Sequence, residues 1–289
     1  MEENDFREVW RWVLSVGDSI LSIYKSDFQI RDKGGNDPVT EADLFASEFL
    51  FEKISARFPS HGFLSEEKTD SAIRLEKEWV WILDPIDGTR EFVKKNDQFA
   101  LSLGLVRNGE AIWGVIFNPA TGEFFSKNRN TFFAKLQSPF ATEENFRTLV
   151  VESSSVLHPL EEAMPIPNKP VLLVSLSEMK EGLFADSFWQ DDFQIRSMGS
   201  IAYKLGLLSA GFIDLIVSLK PKNEWDICGG IALLDEENFT CFPLKDSEYH
   251  FNKQNTLSYG LVAGKKSAVK YLESKIDFHQ LSLKVKERW

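Results

Sequence analysis

The sequence lacks the features that define several large classes of protein. Its 289 residues include only two cysteines, Cys228 and Cys241, neither in a CxxC pair, so we expect reduced thiols and no disulfide framework. No apolar run approaches the length of a bilayer-spanning helix. The acidic start at residues 1–5 is unlike a secretory leader, and we therefore expect a cytoplasmic protein.

Positive charge and the common nucleotide-binding signatures are also scarce. Lys and Arg number 33 against 44 Asp and Glu, with no long basic run, which argues against a nucleic-acid or membrane surface as partner. There is no Walker A loop and no GxGxxG fingerprint, and the four histidines share no metal-ligand spacing. The serine run at residues 153–155 lacks the glycines of a nucleophile elbow.

The most informative segment is Asp-Pro-Ile-Asp-Gly-Thr at residues 84–89, which directly follows the apolar residues 79–83. That apolar run is short and rich in β-branched and aromatic residues, which predicts a buried strand. Asp84 and Asp87 would then lie where the strand leaves the sheet. Close carboxylates repel one another unless a cation or a shared proton neutralises them. The segment is therefore a candidate cation site.

The residues after these carboxylates indicate an anion site. Gly88 lets a backbone N–H approach a ligand closely, and we expect Thr89 to cap a helix that begins near Arg90. Metal ligands beside an anion cradle suggest phosphate chemistry. A solvated turn with a helix cap is the alternative interpretation. An EF-hand loop does not fit, because it requires oxygen ligands at positions 1, 3 and 5, and Ile86 stands at position 3 counted from Asp84.

Two further acidic segments strengthen the metal interpretation. Glu66 and Glu67 follow the apolar residues 62–64 and a predicted turn. Asp226 precedes the apolar residues 227–234, which predict a buried helix, so it could be either a helix cap or a ligand. Hard divalent cations prefer oxygen ligands, and Mg²⁺ usually takes a few of them together with water and phosphate.

These segments together resemble the magnesium-dependent, lithium-inhibited phosphatase superfamily of inositol monophosphatases, fructose-1,6-bisphosphatases and 3'(2'),5'-bisphosphate nucleotidases. Asp-Pro-Val-Thr-Glu-Ala-Asp at residues 37–43 looks like the family's N-terminal motif, and Gly-Ser-Ile-Ala at residues 199–202 resembles its substrate-binding turn. The resemblance implies an α/β fold, a layered α-β-α-β-α sandwich. We expect an α+β half at residues 1–145 with most metal ligands and an α/β half at residues 146–289 with Asp226.

The resemblance also implies a role for each acidic residue. Two Mg²⁺ ions would share Asp84 as a bridging ligand. The metal ligands would be Glu66, Asp84, the Ile86 carbonyl, Asp87 and Asp226, with Glu67 for a third ion or as a solvated carboxylate. Thr89 and Asp43 match the pair that orients and deprotonates the attacking water, and with Glu66 they are the catalytic candidates. Thr40 is expected to be a helix cap. Li⁺ is expected to inhibit.

Substrate choice depends on the residues around the motifs. The residues expected to bind the substrate, including its reacting phosphate group, are Gly88, Thr89, Gly199 and Ser200. Residues 90–96 resemble bisphosphate nucleotidases, which suggests 3'-phosphoadenosine 5'-phosphate as the substrate. Its second phosphate could be held by cations on this helix or elsewhere. The candidates are Lys94 and Lys95, with Lys33, Lys220 and Lys222 as further possibilities.

Alternatives to this assignment remain open. Lys94 and Lys95 would equally suit a solvated helix face, and residues 217–224 fit neither the nucleotidase nor the inositol monophosphatase pattern. Inositol monophosphatase or fructose-1,6-bisphosphatase activity is the alternative, and a non-catalytic phospho-ligand sensor is a distant one. The expected partner is a small phosphorylated molecule, and homodimerisation is left open.

The remaining periodicity predicts alternating elements. Apolar residues at helical spacing over 9–24 predict a first helix, and residues 40–57 predict a second with a capping box. Asn-Gly at residues 108–109 predicts a hairpin of residues 99–106 and 111–118. The second half is predicted to contain strands at residues 171–175, 193–196 and 212–217 and helices at residues 178–188, 201–210 and 226–234. This alternation is typical of α/β layers.

Overall fold

The computed structural model describes residues 1–32, 38–154 and 169–285. The sequence of residues 32–36, with two adjacent glycines, predicts either a loop that could close over a site or an ordinary surface turn. Residues 33–37, among them Lys33 and Asp37, lie outside the described residues. Within the described ranges, no helix combines the length and the apolar composition that crossing a membrane requires.

Helices and strands alternate through most of the described chain. In order they are α1 (Glu3–Lys25), β1 (Ile30–Asp32), β2 (Pro38–Thr40), α2 (Glu41–Arg57), β3 (Gly62–Ser65), a 3-10 turn (Ala72–Glu76), β4 (Trp79–Asp87), α3 (Thr89–Val93), β5 (Ala100–Arg107), β6 (Glu110–Asn118), β7 (Glu123–Lys127), β8 (Thr131–Lys135), α4 (Glu143–Ser154), β9 (Val171–Ser175), α5 (Leu176–Lys180), α6 (Ser187–Asp192), β10 (Gln194–Met198), α7 (Ile201–Ser209), β11 (Leu215–Asn223), α8 (Glu224–Ile231), β12 (Phe239–Phe242), β13 (Leu257–Lys265), α9 (Lys266–Lys275) and α10 (Phe278–Leu283).

The first sheet has six strands in the order β3-β4-β5-β6-β7-β8 and is buried on both faces. Side chains alternate between the faces of a strand, and β4 shows the consequence. Trp81 and Leu83 join the core that includes α1 and α2, whereas Val80 and Ile82 join the core on the opposite face. This two-sided burial explains why the sequence of β4 is continuously apolar.

The second sheet has five strands in the order β10-β9-β11-β13-β12. Leu205 of α7 and Ile227 of α8 share one core with Ile82 of the first sheet and Ile216 of the second, so these helices form the layer between the sheets. A further core lies between the second sheet and α6, α9 and α10. The layers therefore follow the order α-β-α-β-α, which confirms the predicted fold class.

The packing of α8 onto the first sheet is close because glycines face one another. A Cβ on Gly114 of β6 would lie 2.0 Å from the carbonyl oxygen of Gly229. A Cβ on Gly104 of β5 would lie 2.4 Å from Sγ of Cys228. No side chain fits in either gap, so these contacts set the height of α8 above the sheet. The first turn of α8 carries Asp226.

Two predicted elements in the second half need correction. The helix predicted at residues 178–188 is two short helices, because Gly182 adopts a φ of +74° and its N–H bonds to the Met179 carbonyl at 3.1 Å. The strand predicted at residues 212–217 instead runs from Leu215 to Asn223. Pairing with β13 extends this strand to the start of α8, a non-local interaction that periodicity does not report.

Candidate active site

The end of β4 presents its two aspartates to one cleft. In a regular strand, residues three apart point to opposite faces. Here Asp84 pairs with Ser102 and Asp87 with Ala100, so β4 contains one residue more than β5 over this stretch, a β-bulge. The bulge re-aims the strand, and the Ile86 N–H donates to Oδ1 of the buried Asp84 at 3.0 Å.

Asp226 reaches the same cleft from the opposite half of the chain. The Asn223 N–H donates to its Oδ2 at 2.8 Å in a capping box, which orients the carboxylate at the start of α8. Carboxylate oxygens of Asp84, Asp87 and Asp226 all lie within 4.8 Å of one another. Glu66, which follows β3, lines the cleft with them. The structure thus brings together the predicted carboxylate ligands.

The electrostatics of this acid cluster (Glu66, Asp84, Asp87 and Asp226) favour a bound cation. Burial, followed by the negative charges of neighbouring carboxylates, raises the pKa of Asp84 and Asp226 well above the ordinary aspartate value. Burial also raises the pKa of Asp87, although hydrogen bonds from Ser200 and Ala202 oppose the shift. Three carboxylates with oxygens within 4.8 Å of one another, and a fourth lining the same cleft, suit a hard divalent cation. The residues present therefore fit Mg²⁺.

The prediction that Thr89 caps a helix is wrong. Gly88 occupies the N-cap position with φ +94°, and Thr89 is the first residue of α3, without a side-chain capping bond. Its hydroxyl instead lies 3.0 Å from the Ile86 carbonyl oxygen and 3.4 Å from Oδ1 of Asp43. A glycine tolerates the left-handed backbone at the cap. The threonine hydroxyl is consequently available for hydrogen bonding within the cleft.

Asp43 is held rigidly beside Thr89. Thr40 is the N-cap of α2, as predicted, and both its N–H (2.8 Å) and its hydroxyl (2.5 Å) donate to Oδ2 of Asp43. Burial raises the pKa of Asp43 to about 7, although these hydrogen bonds lower it. The charges of Glu67 and Glu66 raise it further. A carboxylate with this pKa can exchange a proton near neutral pH.

The predicted substrate-binding turn is tied directly to the acid cluster. The Ser200 hydroxyl and the Ala202 N–H both donate to Oδ2 of Asp87 at 2.6 Å. Ser200 is also the N-cap of α7. A Cβ on Gly199 would lie 2.6 Å from the side chain of Glu91, so a larger residue at that position would have to displace Glu91. These contacts join β4, α3 and α7 at the cleft.

The two lysines after α3 have different surroundings. Lys94 is exposed. The Lys95 ammonium donates to the Tyr24 carbonyl and, at 2.7 Å, to the Ser26 carbonyl, and it lies 4.3 Å from the centre of the Phe28 ring. Lys95 therefore fastens the end of α1 to the segment after α3.

Sequence reasoning missed Lys204, a buried cation next to the cleft. Lys204 of α7 is 1% exposed, and its ammonium donates to the carbonyls of Met198 at 3.2 Å and Gly199 at 3.3 Å. Burial lowers its pKa to about 8, and the charges of Asp87 and Glu178 act in the opposite direction. A lysine within the otherwise apolar sequence of α7 was the available signal, because an unpaired charge is rarely buried.

The histidine and cysteine side chains within the described residues serve packing or lie at the surface. Trp81 donates its indole N–H to Nδ1 of His61 at 3.0 Å, and the His61 ring stacks on Phe58. Cys228 is buried, Cys241 is half-buried, and neither forms a disulfide. The absence of a shared metal-ligand spacing predicts structural roles for all four histidines, and His61 has such a role. His250 and His279 are exposed, and His158 lies outside the described residues.

An all-oxygen cation site next to a hydroxyl and a carboxylate that can take its proton is typical of metal-dependent phosphatases. Comparison with known proteins gives the same class. Residues 6–276 match the model of the inositol monophosphatase family, and the chain belongs to that family. It is accordingly a phosphoric monoester hydrolase.

Relatives of two named activities are similar along most of the chain. A 3'(2'),5'-bisphosphate nucleotidase, CysQ of Haemophilus influenzae, is 30% identical over 261 residues, covering 89% of this chain and 91% of the relative. An inositol-1-monophosphatase of Bacillus subtilis is 26% identical over 258 residues, covering 86% and 89%. The crystal structure of CysQ from Bacteroides thetaiotaomicron superposes with a TM-score of 0.69 at 26% identity, covering 88% of this chain and 94% of that one.

Proposed function

We propose that this phosphatase is a Mg²⁺-dependent 3'(2'),5'-bisphosphate nucleotidase that hydrolyses 3'-phosphoadenosine 5'-phosphate. The observation that carries the phosphatase mechanism is the Thr89–Asp43 pair beside the acid cluster. The substrate assignment is supported by the similarity to the Haemophilus influenzae nucleotidase over 89% of the chain. It is also supported by the motif at residues 90–96 that follows Thr89.

The acid cluster would hold the cations. Glu66, Asp84 and the Ile86 carbonyl would bind one Mg²⁺, and Asp84, Asp87 and Asp226 a second. Glu67, the next residue after Glu66, is the proposed ligand of a third. When bound, the cations supply the charge that neutralises the phosphate and that makes water acidic enough to attack it. The hydrogen bonds from Ser200 and Ala202 orient Asp87 for this role.

Thr89 and Asp43 would transfer the proton that the attacking water loses. The Thr89 hydroxyl accepts a proton from the attacking water and passes its own proton to Oδ1 of Asp43, 3.4 Å away. Asp43 can accept it because burial raises its pKa to about 7. The two bonds from Thr40 keep the other carboxylate oxygen occupied, so Oδ1 is the oxygen left for Thr89. General-base assistance of this kind contributes roughly 10²–10⁴-fold to the rate.

Backbone groups would bind the phosphate oxygens. The N–H groups of Gly88 and Thr89 open α3, where no earlier helical carbonyl is available to them. Together with Gly199 and Ser200 they form the proposed substrate-binding residues, and Lys94 and Lys95 are proposed to attract a second phosphate. Because Lys95 already bonds to two carbonyls, Lys94 is the more accessible of these two cations.

The test is phosphate release from a panel containing 3'-phosphoadenosine 5'-phosphate, inositol 1-phosphate and fructose 1,6-bisphosphate, each with Mg²⁺. We expect the highest kcat/KM for 3'-phosphoadenosine 5'-phosphate. A higher kcat/KM for inositol 1-phosphate would overturn the nucleotidase assignment and favour the activity named for the Bacillus subtilis relative. No release from any phosphate ester would overturn the mechanism proposed for the Thr89–Asp43 pair.

A further inference from the structure

A buried arginine outside the cleft joins segments from the two halves of the chain. Arg74 of the 3-10 turn has a side chain that is 1% exposed. Its Nε and Nη2 donate to the two carboxylate oxygens of Asp70 at 2.6 and 2.8 Å, a bidentate ion pair. Its Nη1 donates to Oδ1 of Asn252 at 2.7 Å, and its Nη2 also donates to the Lys253 carbonyl at 2.9 Å. The guanidinium therefore connects the turn after β3 with the loop before β13.

Asn252 is the middle of this connection. Its Nδ2 donates to the Arg74 carbonyl at 2.9 Å, so one side chain holds both the guanidinium and the backbone of the 3-10 turn. Its backbone is left-handed, with φ +61°, a conformation that Asn adopts more readily than most residues. The N–H groups of Asn252 and Lys253 donate to Oε2 and Oε1 of Glu224 at 2.7 and 2.9 Å. Both oxygens of that carboxylate are thus held by one turn of the loop.

Glu224 links this loop to a predicted metal ligand. It is the first residue of α8, is fully buried, and lies two residues before Asp226 in the same helical turn. The loop also holds the preceding residue, because the Thr256 hydroxyl donates to Oδ1 of Asn223 at 3.0 Å. The Asn223 N–H in turn donates to Asp226. The loop therefore fastens the cap and the first residue of the helix start that carries Asp226.

The other end of the connection reaches the strand that leads to Glu66. Gly62 begins β3, and a Cβ there would lie 3.0 Å from Cβ of Arg74, so the 3-10 turn packs directly on the strand. Glu66 follows the last residue of β3, and its N–H donates to a β4 carbonyl at 3.3 Å. The connection thus runs from the strand before Glu66, through the buried arginine, to the helix start that carries Asp226.

We infer that a positioning bridge sets the separation of Asp226 from Glu66 and thereby the affinity of the acid cluster for Mg²⁺. The bridge consists of Arg74, Asn252 and Glu224. This inference rests on the proposed cation site but not on the choice of substrate. Carboxylates that repel one another need support from behind to stay at the spacing that a cation requires. Because the bridge is buried, water cannot replace a lost partner, and a broken bond leaves an unsatisfied polar group.

The first test is Glu224→Gln. The amide matches the carboxylate in shape, but one of its two ends is a donor that would face a backbone N–H. We expect the Mg²⁺ concentration for half-maximal turnover to rise about 10- to 100-fold, with kcat restored at saturating Mg²⁺. A thermal-shift titration with Mg²⁺ and no substrate should show the same weaker binding. Glu237→Gln, at an exposed site, is the matched control.

The second test breaks the bridge at its middle. Asn252→Gly tolerates the left-handed backbone and keeps both N–H groups that bond to Glu224, but it removes the side chain that holds Arg74. We expect a rise of about 10-fold in the Mg²⁺ requirement. The double variant should need about as much Mg²⁺ as Glu224→Gln alone, because the two changes break one network. Asn108→Gly, at an exposed position with φ +49°, is the matched control and should stay within about twofold of wild type.

The outcomes separate the bridge from the proposed function. A wild-type enzyme that turns over without Mg²⁺ would overturn the proposed cation site and the inference with it. A Mg²⁺-dependent wild type, with variants that melt at lower temperature but keep its Mg²⁺ requirement, would overturn the inference alone and assign the bridge to folding. Additive effects in the double variant would also overturn it. If Glu224→Gln does not fold, Asn252→Gly decides, since it leaves the buried carboxylate in place.

Discussion

Replacing Asp226 by Asn is expected to abolish activity and at the same time to stabilise the metal-free protein. The carboxylate of Asp226 is a proposed metal ligand, so the loss of its charge weakens cation binding. The shape of the side chain is conserved, and the amide oxygen can still accept the hydrogen bond from Asn223. The helix start should therefore persist. Without metal, the substitution removes one of several repelling charges.

The size of the stability gain follows from the geometry of the cluster. Two unit charges 4.8 Å apart repel by roughly 3.5 kcal/mol at an effective dielectric constant of 20. Protonation relieves part of this repulsion, because burial and nearby carboxylates raise the pKa of Asp226. We therefore expect a net gain of about 1–2 kcal/mol, or roughly 2–8 °C in Tm for a chain of this size.

The pH dependence has a defined sign. Since the folded-state pKa of Asp226 is raised, its unfavourable contribution is absent below the ordinary aspartate pKa of 3.8 and grows as the pH rises through the folded-state value. As the pH rises from 3.8 through the folded-state pKa of Asp226, the metal-free wild type should lose stability, and Asp226→Asn should lose less.

Thermal melts with chelator at several pH values, together with phosphate-release assays with Mg²⁺, test both effects. The exposed Asp27 provides the control substitution, Asp27→Asn, which should change neither Tm nor turnover. A lower Tm for metal-free Asp226→Asn would refute the idea that the cluster is electrostatically strained without cations. Full turnover with Mg²⁺ would refute the role of Asp226 as a ligand.

Three further predictions concern the same machinery. Thr89→Ala should lower kcat about 10²–10⁴-fold with little change in KM, because the N–H remains while the hydroxyl is lost, and an unchanged kcat would contradict the proton relay. Gly114→Ala should cost about 1–3 kcal/mol of stability, because the new Cβ would meet the Gly229 carbonyl. It should also reduce kcat, because the contact would displace Asp226 on the same helix. An unaltered melting temperature would contradict the packing argument. Turnover should disappear in excess chelator, return with Mg²⁺ and fall with Li⁺, and turnover that survives chelation would refute metal dependence.

Elements defined by local patterns were predictable from the sequence. The apolar residues of β4, the helical spacing of α1 and the capping box of α2 each lie within one segment, and the structure contains all three. The Asn-Gly turn between β5 and β6 was predictable for the same reason. Local patterns can still misplace a single residue. At the start of α3, Gly88 in a left-handed conformation occupies the N-cap position that was predicted for Thr89.

The sequence by itself determined the family and with it the phosphatase class, because its acidic, threonine and glycine motifs occur in the order of that family. Only the tertiary structure decided how these residues meet. The bulge in β4 turns Asp84 and Asp87 to one side, and the glycine contacts beneath α8 set the position of Asp226. The buried position of Lys204 beside the cleft also depends on the contacts that the fold makes around α7. Strand register and helix–sheet packing are interactions between distant segments, so no local pattern encodes them.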